Sequence, residues 1–293
     1  MTTTFERFTE TVKAEMSKML DGYEITEQTV TKLNDITLHG LTARRKGNDT
    51  APTLYLEGAY EAYCNGDSIK DIVTSMVNVI LQSEPIAPIT KAAELDMSID
   101  NIREKLTARL IDPELNQEYL KTHPYGYIGA GLVLVADINI SEDYRIVITN
   151  EMAEQYGLNM SEVFAIAIDN MEHRYPAILT NLEDALFGSD MNILDGNGEL
   201  GSVGTLMASG TSGYGAIAIA YKGIADRIRD LIGDYYILPS SLHELIILRD
   251  SGEYNIADLK SMVTSANKTV VDDTDVLSNS VFHFGEYGMR RVA

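Results

Sequence analysis

The stretch Tyr235-Tyr236-Ile237-Leu238-Pro239-Ser240-Ser241-Leu242-His243-Glu244-Leu245-Ile246-Ile247-Leu248 decides the fold class. Its two ends, Tyr235 to Leu238 and Leu245 to Leu248, are apolar or aromatic throughout, the pattern of strands buried on both faces. Between them a proline fixes φ and serine hydroxyls can bond nearby backbone, which predicts a hairpin turn. A helix near Ile224 to Ile232, stopped by Gly233, precedes this hairpin. A helix over Ile256 to Asn267 and a terminal strand over Val281 to Phe284 follow it. Strands and helices come in blocks without strict βαβ repetition. The class expected is therefore α+β, with mixed or antiparallel sheets and packed helices, in two or three small subdomains.

Working toward the N-terminus, Phe5, Phe8, Val12, Met16, Met19 and Leu20 recur at helical spacing and stop at Asp21-Gly22. Tyr23 to Arg45 reads as a hairpin turning near Asn34-Asp35, and Thr53 to Leu56 as a short extended piece. Two helices follow, over Glu57 to Asn65 and from Ile69 through Ile80, and Pro85 and Pro88 mark a joint. In the middle, Lys105 to Ile111 predicts a strand and Pro113 to Lys121 a short helix. Tyr127 to Ile140 predicts one buried central strand, paired with Tyr144 to Ile148 through a turn at Ser141 to Asp143. Helices are expected from Thr149 or Asn150 to Gly157, and from Ser161 with the face Val163, Phe164, Ala167, Ile168 and Met171.

Asp190 to Gly213 is rich in glycine and poor in anchors, so it reads as a long mobile loop. The resulting division is 1–88, 89–189, a loop at 190–213, and 214–293.

Composition narrows the function classes. The 293 residues are 45% hydrophobic and 23% charged, as in ordinary folded chains. Net charge is −21, and residues 101–200 are the most acidic third. Such a surface repels phosphate backbones, so direct nucleic-acid binding is not expected; it suits either solubility or mimicry of nucleic acid. The longest apolar runs, Ile128 to Ala136 and Gly215 to Tyr221, are far shorter than a membrane span, so no membrane association is expected. The single cysteine, Cys64, and a start without a basic or apolar leader point to a reducing, cytoplasmic setting.

Motifs of chemistry are sparse. Gly196-Asn197-Gly198-Glu199-Leu200-Gly201 has the letters of a dinucleotide loop but lacks the flanking strand and helix. Asp195, Asn197 and Glu199 start like a calcium loop, yet Leu200 and Leu206 stand where that loop needs glycine and glutamate. His39, His123, His173, His243 and His283 are scattered, so no metal or cofactor is expected. The loop Pro239 to Glu244 supplies the candidate binding residues Ser240, Ser241, His243 and Glu244, with no catalytic residue assigned. His243 and Glu244 are adjacent, which in a strand sends them to opposite sides.

Tyr235 to Glu244 resembles the most recognisable stretch of an uncharacterised bacterial and phage family, number 5688 among the domains of unknown function. Further segments agree in order: Leu54-Tyr55-Leu56-Glu57 with Tyr60, Tyr63 and Gly66; Ile148-Thr149-Asn150 with Tyr156-Gly157; Ala167 with Asn170; and Gly215-Ala216 before Tyr221. The chain is also distantly similar to the YtpQ-like family. It departs from the family pattern after Lys121-Thr122-His123-Pro124, where Tyr125 to Gly131 replaces an acidic residue. The resemblance implies no activity. The expectation is a non-enzymatic acidic protein with a protein partner, associated with phage or other mobile DNA. The alternative is a small-ligand binder or hydrolase-like enzyme using Pro239 to Glu244.

Overall fold

The computed structural model describes residues 3–47, 51–82, 95–141, 145–187, 191–210, 214–239 and 241–293. The chain is α+β, and it divides into two compact units, Met1–Lys32 with Ile36–Leu95, and Leu33–Asp35 with Asp96–Ala293.

In the first unit, helix Phe5–Met19 is capped by the Thr4 hydroxyl, which accepts from the Arg7 N–H. Strands β1 (Tyr23–Thr31), β2 (Thr37–Arg45) and β3 (Thr53–Tyr55) form an antiparallel sheet with β2 central. Helices Glu57–Cys64 and Ile69–Gln82 complete it. The helical apolar stripe closes the core through Phe8, Val12, Met16, Val73, Val77 and Ile80, against Leu41 and Ala43 of β2. Pro85 and Pro88 lie outside the described residues.

The second unit holds two antiparallel sheets. In one, β6 (Leu132–Asn139) is central; β4 (Leu106–Ile111) pairs along one edge, and β5 (Tyr125–Gly129) and β7 (Arg145–Val147) share the other. Helix Met160–Arg174, capped by Asn159, packs on this sheet. Gly126 leaves room for the helix: a Cβ there would stand 2.9 Å from the Phe164 ring.

The other sheet has the order β13 (Gly288–Arg291), β12 (Phe282–Gly285), β10 (Tyr235–Leu238), β11 (Leu245–Arg249), β9 (Val203–Ala208), β8 (Ala177–Asn181). Cross-strand registers put Tyr235, Ile237, Ile247 and Phe282 on one face, buried beneath the 3-10 segment Gly215–Ala220 and helix Ile224–Ile232. Tyr236, Leu248, Ile246, Val203 and His283 take the opposite face, on which helix Ile256–Thr269 packs through Leu259 and Val263.

Three sequence expectations are corrected. Tyr127 to Ile140 is two strands, because Gly129, Ala130 and Gly131 all take positive φ (111°, 52° and 85°) and reverse the chain into a hairpin. Pro113 to Lys121 forms turns with one 3-10 turn at Tyr119–Lys121. There the carboxylates of Asp112 and Asp35 accept the backbone N–H groups of Glu114, Glu118 and Tyr119. The described part of the expected loop 190–213 is not a loop throughout, since Val203–Ala208 is an inner strand bonded to both β8 and β11. Gly204 is what permits it: a Cβ would stand 2.4 Å from Leu200 and 2.7 Å from the Thr180 carbonyl oxygen, so glycine lets Leu200 pack down and stay buried. Asp190 and residues 211–213 lie outside the described residues.

Candidate functional site

The Pro239 to Glu244 loop joins β10 to β11 as the sequence predicts. Ser240 lies outside the described residues. Ser241 is buried, and its Oγ accepts a 3.0 Å hydrogen bond from the His243 backbone N–H. The His243 imidazole is exposed and pairs through Nε2 with Asp275 Oδ2 at 3.1 Å. Glu244 is half-buried. The serine hydroxyl and the imidazole therefore have separate partners. The backbone is fastened on two sides, with the Leu242 N–H donating to Asp275 O and the Leu242 carbonyl accepting from the Ala216 N–H.

Beyond this loop, the strands it connects open into a wide concavity in the second unit. A groove of about 530 Å³ runs between helix Ile256–Thr269 and the six-stranded sheet. Its floor is Val203, Leu238, Ile246 and Leu248, and its wall is Leu259, Met262, Val263 and Ala266, spaced as one helical stripe. Leu182 closes one side, and Tyr254 and Asn255 stand at the helix entrance. The acidic groups on the lining are Glu253 and Asp258, both exposed and without an ion pair among the described residues. Met262 remains 61% exposed, so the helix leaves part of its apolar stripe uncovered. Leu238 adjoins the Pro239 to Glu244 loop, and Ile246 lies one residue past its other end. The remote wall was legible only as the apolar spacing 259, 262, 263 and 266, which also fits a fully buried helix face.

Two buried polar centres lie in the same unit. Arg109 on β4 and Asp137 on β6 form an ion pair, and the Arg109 and Arg145 guanidinium groups lie 5.2 and 4.6 Å from the Tyr214 ring centroid. Burial opposes the Arg109 charge, but Asp137 and nearby tyrosines hold the cation protonated; burial raises the Asp137 carboxyl above its ordinary range despite Arg109. Burial also pushes the Tyr119 phenol up to about 12 and lowers His123, which stacks on Tyr119 with centroids 3.9 Å apart. In the second centre Asp112 accepts from the Ser278 hydroxyl and from Arg291, whose guanidinium also reaches Ser280 and Glu114. These bonds tie β4's exit to the C-terminal strand. Among the described residues no three His, Cys, Asp or Glu side chains come together as metal ligands, and no helix is long and apolar enough to cross a membrane.

The site is thus a groove on an antiparallel sheet of an α+β protein, apolar inside and acidic at its mouth. The chain belongs to DUF5688, a family of unknown function, whose model matches residues 5–286. No curated protein and no solved structure matches it.

Proposed function

We propose that this protein is a cytoplasmic, non-enzymatic binding protein that takes an apolar segment of another polypeptide into the groove beneath helix Ile256–Thr269. The carrying observation is the groove itself, large enough for several side chains and floored by strands whose rigidity preorganises it. Glu253 and Asp258 at the mouth, on a chain of net charge −21, favour a segment flanked by lysine or arginine and disfavour nucleic acid. Cys64, exposed and outside any disulfide, suits a reducing compartment.

Selection of peptides from a displayed random library tests this reading. Wild type is expected to enrich apolar peptides with basic flanks, and Ala266→Phe, which fills the groove, to bind them at least roughly tenfold more weakly. Glu253→Gln and Asp258→Asn should weaken binding and flatten its salt dependence. Peptides that bind Ala266→Phe as well as wild type would overturn the assignment.

A further inference from the structure

The groove beneath helix Ile256–Thr269 also restricts the conformation of what it can hold. Its polar lining residues, Glu253, Tyr254, Asn255 and Asp258, gather at the helix's N-terminal end. Every other lining residue is leucine, valine, isoleucine, methionine or alanine. The floor residues Val203, Leu238, Ile246 and Leu248 stand on β9, β10 and β11, each of which has a bonded strand on both sides. The ladder therefore occupies the backbone donors and acceptors of the floor, and the helix occupies those of the wall.

The sheet edge on the Leu182 side is closed as well. β8 ends the strand order, and Asn192 stands where a further strand would. Its Oδ1 accepts from the Leu179 N–H and its Nδ2 donates to the Ala177 carbonyl, each at 3.0 Å. An extended peptide in this groove would find no strand edge to join and, past the first turn of the helix, no polar group to bond. Its buried N–H and C=O groups would go unpaired, which folded structures rarely tolerate. A helix satisfies its backbone internally.

Size and charge narrow the occupant further. From Leu259 to Ala266 the wall runs about 10 Å, roughly two helical turns. A helix of that length and about 10 Å across is larger than the groove's volume of about 530 Å³, so one face enters and the other stays in water. Glu253 and Asp258 both lie where the dipole of helix Ile256–Thr269 is positive. A bound helix running antiparallel brings its negative C-terminal end there. Lysine or arginine in its last turn then meets the two carboxylates and also suits its own dipole.

We propose that the occupant is an amphipathic helix of a partner polypeptide, antiparallel to Ile256–Thr269, with apolar side chains at i, i+3, i+4 and i+7 and lysine or arginine in its last turn. This rests on the groove being a polypeptide-binding site and adds the conformation, direction and charge placement of what binds.

The probes are labelled synthetic peptides of about 15 residues and one composition, titrated by fluorescence anisotropy. In the first, leucines take the helical spacing and lysines close the last turn. The second moves the lysines to the first turn. The third keeps them last but alternates the leucines at period two. The first should bind tightest, the second at least roughly fivefold and the third at least roughly tenfold more weakly. Circular dichroism should show the first gaining helix on binding. A nitroxide at its C-terminus should broaden the amide NMR signals of Tyr254 and Asn255 more than that of Ala266. Equal or tighter binding of the second or third peptide, or stronger broadening at Ala266, overturns the proposal. Ala266→Phe separates this failure from failure of the groove itself. An alternating peptide that binds wild type best and is lost on Ala266→Phe keeps the groove as a peptide site and removes the helix. Binding of no peptide, or binding unchanged by Ala266→Phe, removes both. The wild-type titrations need no variant, so they stand even if Ala266→Phe fails to fold.

Discussion

Arg109 Nη2 donates a 2.6 Å hydrogen bond to Asp137 Oδ1 from a neighbouring strand, with side-chain exposures of only 7% and 2%. A pair so deeply buried matters chiefly when it is broken. Asp137→Leu leaves the guanidinium without its counter-charge and should cost about 3–5 kcal/mol, whereas the double variant Arg109→Met/Asp137→Leu should recover most of that loss. Denaturant unfolding of both variants checks this. Equal destabilisation of single and double variants would mean that the two side chains do not act as a pair.

The stack of His123 on Tyr119 predicts a pH dependence. Burial holds the folded imidazole below its ordinary value, so its contribution to stability is complete above about pH 6.5 and is lost as the pH falls through the folded pKa. Phenylalanine keeps a ring against Tyr119 and cannot be protonated. His123→Phe should therefore lose less stability on acidification than wild type, in urea melts recorded between about pH 7 and pH 5. Parallel profiles would count against it.

Gly215 faces the candidate loop at very close range, since a Cβ there would fall 2.2 Å from the His243 carbonyl oxygen. Backbone on both sides leaves nowhere to move. Gly215→Ala should cost at the upper end of about 1–3 kcal/mol and lower the melting temperature, while an equally stable variant would show that the loop is not held against Gly215.

Ser241 and His243 should respond differently to truncation. Ser241→Ala orphans the His243 N–H in a buried turn and should cost about 1–2 kcal/mol. The imidazole's hydrogen bond with Asp275 is half exposed on both sides, so His243→Ala should change stability by less than about 1 kcal/mol. Calorimetry of the two variants separates them, and a large loss in His243→Ala would contradict the exposed geometry.

The elements legible in the sequence are those whose apolar period agrees with their final burial. Helix Phe5–Met19, with Phe8, Val12 and Met16 inward, is one, and the paired strands Tyr235–Leu238 and Leu245–Arg249 are another. Two of the three failures share a cause in glycine, whose meaning depends on neighbours far away in sequence; the third, at Pro113 to Lys121, comes from the Asp112 and Asp35 carboxylates taking the backbone N–H groups. Gly204 reads as loop composition, yet it is needed so that Leu200 and the Thr180 carbonyl can close on β9. Gly129 and Gly131 sit inside an apolar run, so periodicity passes over the turn they make. The candidate site was half legible: Leu238 adjoins the chosen loop and Ile246 lies one residue past its other end, whereas Val203 and Met262 reach the groove only through the sheet order and the helix that crosses it.

The inner position of β9 has a consequence for the protein's synthesis. Val203–Ala208 can pair with β8 as soon as it leaves the ribosome, but its second edge waits for Leu245–Arg249, and the sheet is not closed until Gly288–Arg291 has emerged. Through that interval the nascent chain carries an open strand edge beside a buried-type surface, the condition under which strands pair with the wrong partner. The inner edge of β9 therefore stays unpaired while residues 209 to 244 are being made, which is the interval in which a mispaired strand would form.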